Sequence, residues 1–243
     1  MRRFQSLILV IACGVCAQAQ KGDFEVTQTL RLHKAANGVD GALQVLTDSR
    51  LSSELRNQMW GGRDWSFVLP QGDARRAAFE RNPPRNAELR IVTDKNVVLR
   101  KVAVERPLAR ITEALVRNDK TSFLVAVDYS VGFGSYAGIT TLLLDVVEGQ
   151  FQWAEATNIN THGTERIRLP DTLKSAWKLV PFQQNHDILW VYCRPATVQE
   201  AEGEFVVGYV RYRFDGKRWV KYERLQNGFW ESDESFPTFS SFP

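Results

Sequence analysis

The stretch FLVAVDYSVGFGSYAGITTLLLDVVEGQFQW, residues 123–153, decides the fold. It contains an apolar strand pattern, a glycine-rich loop, a second apolar run and a Glu-Gly turn before a third segment that ends at Trp153. The same order returns in residues 188–219, where ILWVY, a long loop, YVRYRF and an Asp-Gly turn precede Trp219. Glycine supplies the positive φ that such hairpin turns need. The pattern therefore predicts two repeated β-meanders.

The spacing of the repeat favours a meander over a propeller blade. Trp153 and Trp219 lie 66 positions apart, whereas propeller blades repeat at about 40–50 residues. Two units also cannot close a ring. We therefore predict an α+β fold, mainly antiparallel β, with two meander-like units and a small helical N-terminal region. The alternative is a partial, propeller-like all-β fold.

The chain divides by composition into a mixed helix and strand region at 20–86 and a β-rich region at 87–243, which together we expect to form one compact domain. Asp40, Ser52 and Asp73 are predicted N-caps of short helices. Residues 65–69 are predicted to form a strand.

Two further segments are assigned from their local patterns. Residues 108–115 have apolar spacing that fits either a helix after Pro107 or a strand. Residues 173–177 are predicted to form a short helix or turn capped by Asp171.

The first nineteen residues have the order of a secretory signal peptide. Arg2 and Arg3 precede an uncharged apolar run at 7–16, and residues 17–19 form an Ala-x-Ala cleavage site. Removal of residues 1–19 would leave no transmembrane span, because the apolar run is about half the length that crosses a bilayer. An alternative is a loose lipobox at 10–13, with Cys13 carrying a lipid anchor.

The remaining composition predicts a bacterial envelope protein, periplasmic or secreted. Cys193 is the one cysteine of the sequence outside the leader, so no internal disulfide is expected, and its apolar surroundings predict a buried strand residue. Without Arg2 and Arg3 the 31 basic and 28 acidic residues become 29 and 28. This near-neutral, interspersed charge argues against nucleic-acid binding.

The glycine-rich loop is the most unusual local segment. A β-type run follows the loop where a phosphate-binding loop would need a helix N-terminus, so nucleotide binding is not expected. The alternatives are a long hairpin loop or a loop that presents polar side chains to a small molecule or glycan. The predicted ligand-binding residues are Asp128, Tyr129, Gly132, Gly134, Ser135 and Tyr136.

The residues that usually carry catalysis are sparse. His33, His162 and His186 lack metal-ligand spacing, no Gly-x-Ser-x-Gly elbow occurs, and we predict no metal, cofactor or catalytic residue. A carboxylate pair for glycoside hydrolysis stays open, with Glu231 and its acidic neighbours in the tail as one group.

The C-terminal tail from Gly228 to Pro243 contains five aromatic residues. A disordered tail is usually poor in such residues. The tail is therefore expected either to pack over the domain as a closing strap or to offer an apolar patch to a partner. The residues assigned to that interaction tail are Phe229, Trp230, Phe236 and Phe239.

These patterns predict an exported, non-enzymatic binding or interaction module whose partner is a protein or glycan of the cell envelope. The alternative is a periplasmic or secreted hydrolase that uses carboxylates on a glycan or another envelope polymer. An enzyme should bring acids, or an acid and a histidine, together in a concave site with shifted pKa values. Convergence of Asp128, His162 and Glu231 would favour the hydrolase.

Overall fold

The computed structural model describes residues 23–36, 39–61, 63–116, 123–131, 134–147, 150–183, 185–197 and 203–243. Three α-helices occur in these ranges: α1 Ser53–Met59, α2 Trp65–Val68 and α3 Ala74–Arg81. The strands of the first half are β1 Phe24–Ala36, β2 Val39–Asp48, β3 Glu88–Thr93, β4 Val98–Ala103, β5 Arg110–Val116, β6 Phe123–Val131, β7 Gly138–Val147 and β8 Gln150–Trp153. The strands of the second half are β9 Glu155–Asn158, β10 Thr164–Arg166, β11 Arg168–Thr172, β12 Ser175–Phe182, β13 Asn185–Pro195, β14 Phe205–Phe214 and β15 Trp219–Asn227.

The strands form two sheets, and the predicted mainly antiparallel α+β class is confirmed. The smaller sheet has the order β1-β2-β3-β4, and the larger sheet has the order β10-β9-β15-β14-β13-β12-β11-β7-β6-β5, with β8 paired to β7. Strands β15 and β9 pair in parallel, while the other described pairs are antiparallel. The sheets do not close into a barrel.

The two predicted meanders are present as β6-β7-β8 and β13-β14-β15. Their side chains alternate between two faces, as the twofold repeat of a strand requires. Val125 and Val127 of β6 pack against the smaller sheet, whereas Ala126 between them packs against the second meander. Ile188 likewise faces the first meander, and Leu189 faces the C-terminal tail. The fold is thus a stack in which each meander is covered on both faces.

Two predicted elements of the N-terminal region are wrong. The helix expected after Asp40 is strand β2, because Leu43 and Val45 alternate into the core between the two sheets. The strand expected at 65–69 is helix α2, because the Asp64 side chain accepts a hydrogen bond from the Ser66 N–H and starts a helical turn there.

The other predicted helices begin where expected. The Ser52 hydroxyl accepts a hydrogen bond from the Leu55 N–H, and the Asp73 carboxylate accepts one from the Arg75 N–H. Residues 108–115 fit either a helix or a strand in the sequence, and the structure confirms the strand as β5. Residues 173–174 form a turn whose cap is the Thr172 hydroxyl, not Asp171 as predicted, and β12 begins directly after it.

The larger sheet bends sharply between β11 and β12. The two strands pair only at Thr172 and Ser175 before they separate. Pro170, two residues before Thr172, has no N–H to donate to a continuing ladder. The strands on either side of the bend share one buried cluster, which contains Leu169 from β11 and Ile188 from β13. The sheet therefore folds over its own inner face.

One side chain joins the two sheets. The Gln28 amide on β1 donates a hydrogen bond to the Ile111 carbonyl and accepts one from the Ile111 N–H, each at 2.7 Å. Both strands carry a register shift near this contact. The amide group thereby satisfies backbone groups of β5 that have no strand partner on that side.

Two further predictions concern the chain as a whole. Cys193 is buried and free, as expected. Among the described residues no helix has the length and apolar character to cross a membrane. The leader at 1–19, with its alternative lipid site at Cys13, lies outside the described residues and stays a prediction.

Candidate functional site

A row of paired residues crosses the larger sheet at the bend and positions the candidate site. The row consists of Val131, Gly138, Thr172, Ser175, Tyr192, Gly208 and Leu225. The glycine-rich loop between β6 and β7, with its 3₁₀ turn Gly134–Tyr136, starts and ends at this row. The loop predicted to bind a ligand therefore lies beside the bend.

Two carboxylates stand on the inner face on one side of the bend. Asp128 alternates with Ala126 and Asp171 alternates with Leu169, and both apolar residues belong to the inner cluster. The Thr141 hydroxyl donates a 2.5 Å hydrogen bond to Asp128. The two carboxylates are close enough for their charges to interact.

Both of these carboxyl groups are harder to ionise than usual. Burial raises the pKa of Asp128, and the charge of Asp171 raises it further, against hydrogen bonds from Thr141 and Thr112 and the charge of Arg110. Desolvation of its carboxyl group also raises the pKa of Asp171, although the residue as a whole is exposed. Neighbouring carboxyl groups with raised pKa values are a frequent property of functional sites.

Aromatic side chains line the inner face on the other side of the bend. Trp177 on β12 pairs with Trp190 on β13, and both are partly buried against the inner cluster. Trp190 and Tyr192 pack with ring centroids 4.6 Å apart. The Trp190 Nε1–H is buried and has no hydrogen-bond partner within the described part of the chain. We call Asp128, Asp171, Trp177, Trp190 and Tyr192 the bend face.

A polar network holds the aromatic side of the bend face in place. The Tyr192 hydroxyl donates a 2.7 Å hydrogen bond to Glu223 on β15. Desolvation, together with the Glu223 hydrogen bond and charge, raises the pKa of Tyr192 to about 12. Lys221 forms ion pairs with Glu165 at 2.8 Å and with Glu223 at 3.3 Å. Tyr192 therefore stays a neutral donor at physiological pH.

The predicted loop residues are only partly brought together. Asp128 and Ser135 are partly buried near the bend, and Tyr136 is 47% exposed. Gly134 lies in the same 3₁₀ turn as Ser135 and Tyr136, and Gly132 lies outside the described residues. Tyr129 is 4% exposed and faces the core between the two sheets, away from the bend face, and its assignment as a ligand-binding residue stays a prediction.

The tail packs back on the protein, as the strap interpretation predicts. Trp230 and Phe242 are buried in a cluster on the outer face of β13 and β14. The Ser232 N–H donates to the Leu173 carbonyl, and Phe236 stacks on Phe242 with centroids 5.9 Å apart. Trp230 is buried and Phe236 is partly buried, so both contribute to packing of the tail, and their assignment to an interaction tail stays a prediction.

Two lysines, Lys174 in the turn before β12 and Lys178 on β12, contact aromatic rings of the tail. Lys174 Nζ lies 3.6 Å from the Phe229 ring centroid and 2.5 Å from Glu231. Lys178 lies over Phe236 at 4.2 Å. Phe229 and Phe239 remain about half exposed, at 51% and 46%. Of the four predicted interaction residues, these two are the most exposed.

The structure offers no support for the predicted alternative of a joint Asp128, His162 and Glu231 centre. No hydrogen bond or ion pair between described residues joins any two of them; Glu231 is held by Lys174, and His162 lies in an exposed turn with φ +59°. Within the described ranges no group of three or more His, Cys, Asp or Glu side chains could hold a metal ion.

Sequence reasoning missed four of the five residues of the bend face. Trp190 and Tyr192 belong to a predicted strand, Trp177 belongs to a predicted short helix or turn, and Asp171 is its predicted cap. The alternation along β13 already places Trp190 and Tyr192 on the face of Ile188. What the sequence lacks is a local signal for the bend that turns the strands on its two sides toward one shared cluster.

No protein-family model, no curated protein and no solved structure matches this chain.

Proposed function

We propose that this protein is a non-enzymatic binding module of the bacterial cell envelope and that its bend face binds a saccharide. The observation that carries this proposal is the presence of carboxylates and partly exposed aromatic rings on the same inner face, on the two sides of the bend. Flat aromatic rings offer apolar surface to sugar rings, with an N–H or O–H at the edge. Carboxylate oxygens accept hydrogen bonds from neighbouring hydroxyl groups.

The bacterial envelope is supported by the sequence pattern of residues 1–19. Mass spectrometry of the mature protein tests it: a chain that starts at Gln20 supports secretion, and a diacylated Cys13 supports the lipoprotein alternative. A chain that keeps residues 1–19 in the native host would contradict export by cleavage.

A binding experiment tests the saccharide proposal. Tetrasaccharides of β-1,4-linked glucose and of β-1,4-linked N-acetylglucosamine are titrated into the protein by calorimetry. Asp171→Asn should weaken binding by about tenfold or more, because a hydrogen bond to a charged group contributes about 1.5–3 kcal/mol. Tyr136→Ala should also weaken binding, because it removes an exposed ring from the loop that starts and ends beside the bend. The matched controls are Asp233→Asn and Phe239→Ala, which alter an exposed acid and an equally exposed ring of the tail. Absence of binding to both tetrasaccharides would overturn the proposal.

One observation favours hydrolysis as the second candidate function. Asp128 and Asp171 both have raised pKa values, and general acids of glycosidases use a carboxyl group of this kind. The same tetrasaccharides are therefore incubated with the protein and assayed for new reducing ends. Turnover that Asp128→Asn abolishes would establish a hydrolase and contradict the non-enzymatic proposal.

A further inference from the structure

Matching tryptophans of the two meanders line one hollow at the end of the larger sheet away from the bend; Trp219 belongs to the inner cluster, whereas Trp153 packs against the cluster between the two sheets. Trp153 ends β8, the third strand of the first meander, and Trp219 begins β15, the third strand of the second. The hollow has a volume of about 240 Å³. We call it the Trp cleft; the lining residues that matter here are Asp145, Trp153, Glu155, Arg166, Lys217 and Trp219.

The parallel pairing of β9 with β15 creates this juxtaposition. Trp219 pairs with Ala156, which lies three residues after Trp153 in the chain. Strand β9, which follows the first meander in the chain, therefore lies beside the third strand of the second meander. The repeat in the sequence thus places its two equivalent tryptophans around one opening.

Two acids and three cations line the Trp cleft, and two of the cations have carboxylate partners outside the lining. Asp145 and Glu155 line it together with Arg166, Lys217 and Arg218. The Arg166 guanidinium also pairs with Glu105 at 2.9 Å, and Arg218 lies 3.7 Å from Asp215. The cleft therefore lacks the excess of cations that phosphate or a polyanion would require. Its alternating donors and acceptors suit the hydroxyl groups of a neutral ligand.

The two tryptophans form part of the wall of the cleft, and neither ring is widely exposed. Arg166 lies over the Trp153 ring at 5.6 Å from its centroid, and Trp153 is partly buried. Trp219 is 3% exposed and packs on Phe214 with centroids 5.6 Å apart. A volume near 240 Å³ lies below the ~300–1,000 Å³ of ordinary small-molecule pockets. The cleft therefore fits one monosaccharide unit of a chain.

We propose that the Trp cleft is a second saccharide site, so that the protein holds two glycan chains at the same time. This inference rests on the proposed function of the bend face. Ile139 beside the bend and Asp145 in the cleft are six residues apart on β7, which corresponds to roughly 20 Å along a strand. Fully buried residues such as Leu169 and Ile188 fill the inner face between them. A single straight chain cannot pass through this core to reach both sites.

Calorimetry with the same two tetrasaccharides tests the inference through the stoichiometry of binding. The wild-type protein should bind two ligands per chain. The double variant Glu155→Ala/Lys217→Ala should bind one, since both altered side chains are exposed and line the Trp cleft. The double variant Asp171→Asn/Tyr136→Ala should also bind one ligand, at the Trp cleft. The matched control is Asp94→Ala/Lys95→Ala, which removes an acid and a lysine from an exposed turn of the smaller sheet.

A second measurement uses long β-1,4-linked polymers of the same sugars. A protein with two sites should crosslink the polymer and raise its light scattering, and each single-site variant should lose this effect. A stoichiometry of one that only the bend-face variant abolishes would overturn the second site and leave the proposed function intact. Loss of binding in the Trp-cleft variant alone would support the cleft and overturn the bend face. No binding by the wild-type protein would overturn both.

Discussion

Gly208 shows how one residue shapes the bend face. A methyl group at this position would lie 2.3 Å from the ring of Tyr192, which packs flat over the glycine on the neighbouring strand. Gly138 has the same kind of role on the other side of the bend, where an added Cβ would lie 2.1 Å from the Asp171 carbonyl. Both glycines permit close approach, and neither serves a turn. Small residues at two positions therefore allow the face to form.

Replacement of Gly208 by alanine should destabilise the protein by about 1–3 kcal/mol, the usual cost of overpacking. The displaced Tyr192 should also lose its hydrogen bond to Glu223. Urea denaturation followed by fluorescence measures the change. Gly163→Ala is the control, because its closest neighbour would be 3.4 Å away at the Thr161 hydroxyl, and it should change stability by less than about 0.5 kcal/mol. Equal losses in the two variants would contradict this role of Gly208.

The tail illustrates how an element can be predicted in outline but not in detail. Its aromatic content indicates that it packs against something. Which rings are buried depends on the surface they meet: Trp230 is 5% exposed, while the adjacent Phe229 is 51% exposed. Two elements of the N-terminal region show the same limit: β2 is a strand where a helix is predicted, and α2 is a helix where a strand is predicted. In both cases the partner surface or the cap decides, and the local apolar pattern does not.

Trp230→Ala should lower the free energy of unfolding by about 3–5 kcal/mol, as for other buried aromatic residues. Phe229→Ala should cost about 1 kcal/mol or less, because it removes a half-exposed ring and its contact with Lys174. Thermal unfolding of the two variants beside the wild-type protein measures both values. An equally small loss of unfolding free energy in both variants would contradict the packing of the tail over the domain.

At the scale of the whole molecule, the two sheets depend on buried contacts and on Gln28. The cluster between the sheets combines Leu43 and Leu89 of the smaller sheet with Val125 and Leu142 of the larger one. Gln28 adds two hydrogen bonds to Ile111, which is 7% exposed. Loss of the amide would leave a buried N–H and a buried C=O without these partners.

Gln28→Leu should therefore cost about 1–3 kcal/mol for each unsatisfied backbone group. Hydrogen exchange at the Ile111 amide should become faster, which a general loss of stability would not confine to this position. Gln226→Leu, at an exposed site on β15, is the control and should have little effect. Unchanged exchange at Ile111 would show that the sheets are joined by apolar packing alone.

The parts of the fold that the sequence predicts are those with local causes. The alternation in β6, β7, β13 and β14, and the caps at Ser52 and Asp73, arise from residues a few positions apart. The sequence by itself therefore determines the strand-rich class, the repeated meanders and the buried Cys193. The tertiary structure alone decides the site. Asp128 and Trp190 are 62 positions apart in the chain, and they lie on the same inner face because the ladder between β11 and β12 stops after a single pair and the strands on either side share one cluster. A bend of this kind depends on packing between distant strands, which no local pattern encodes.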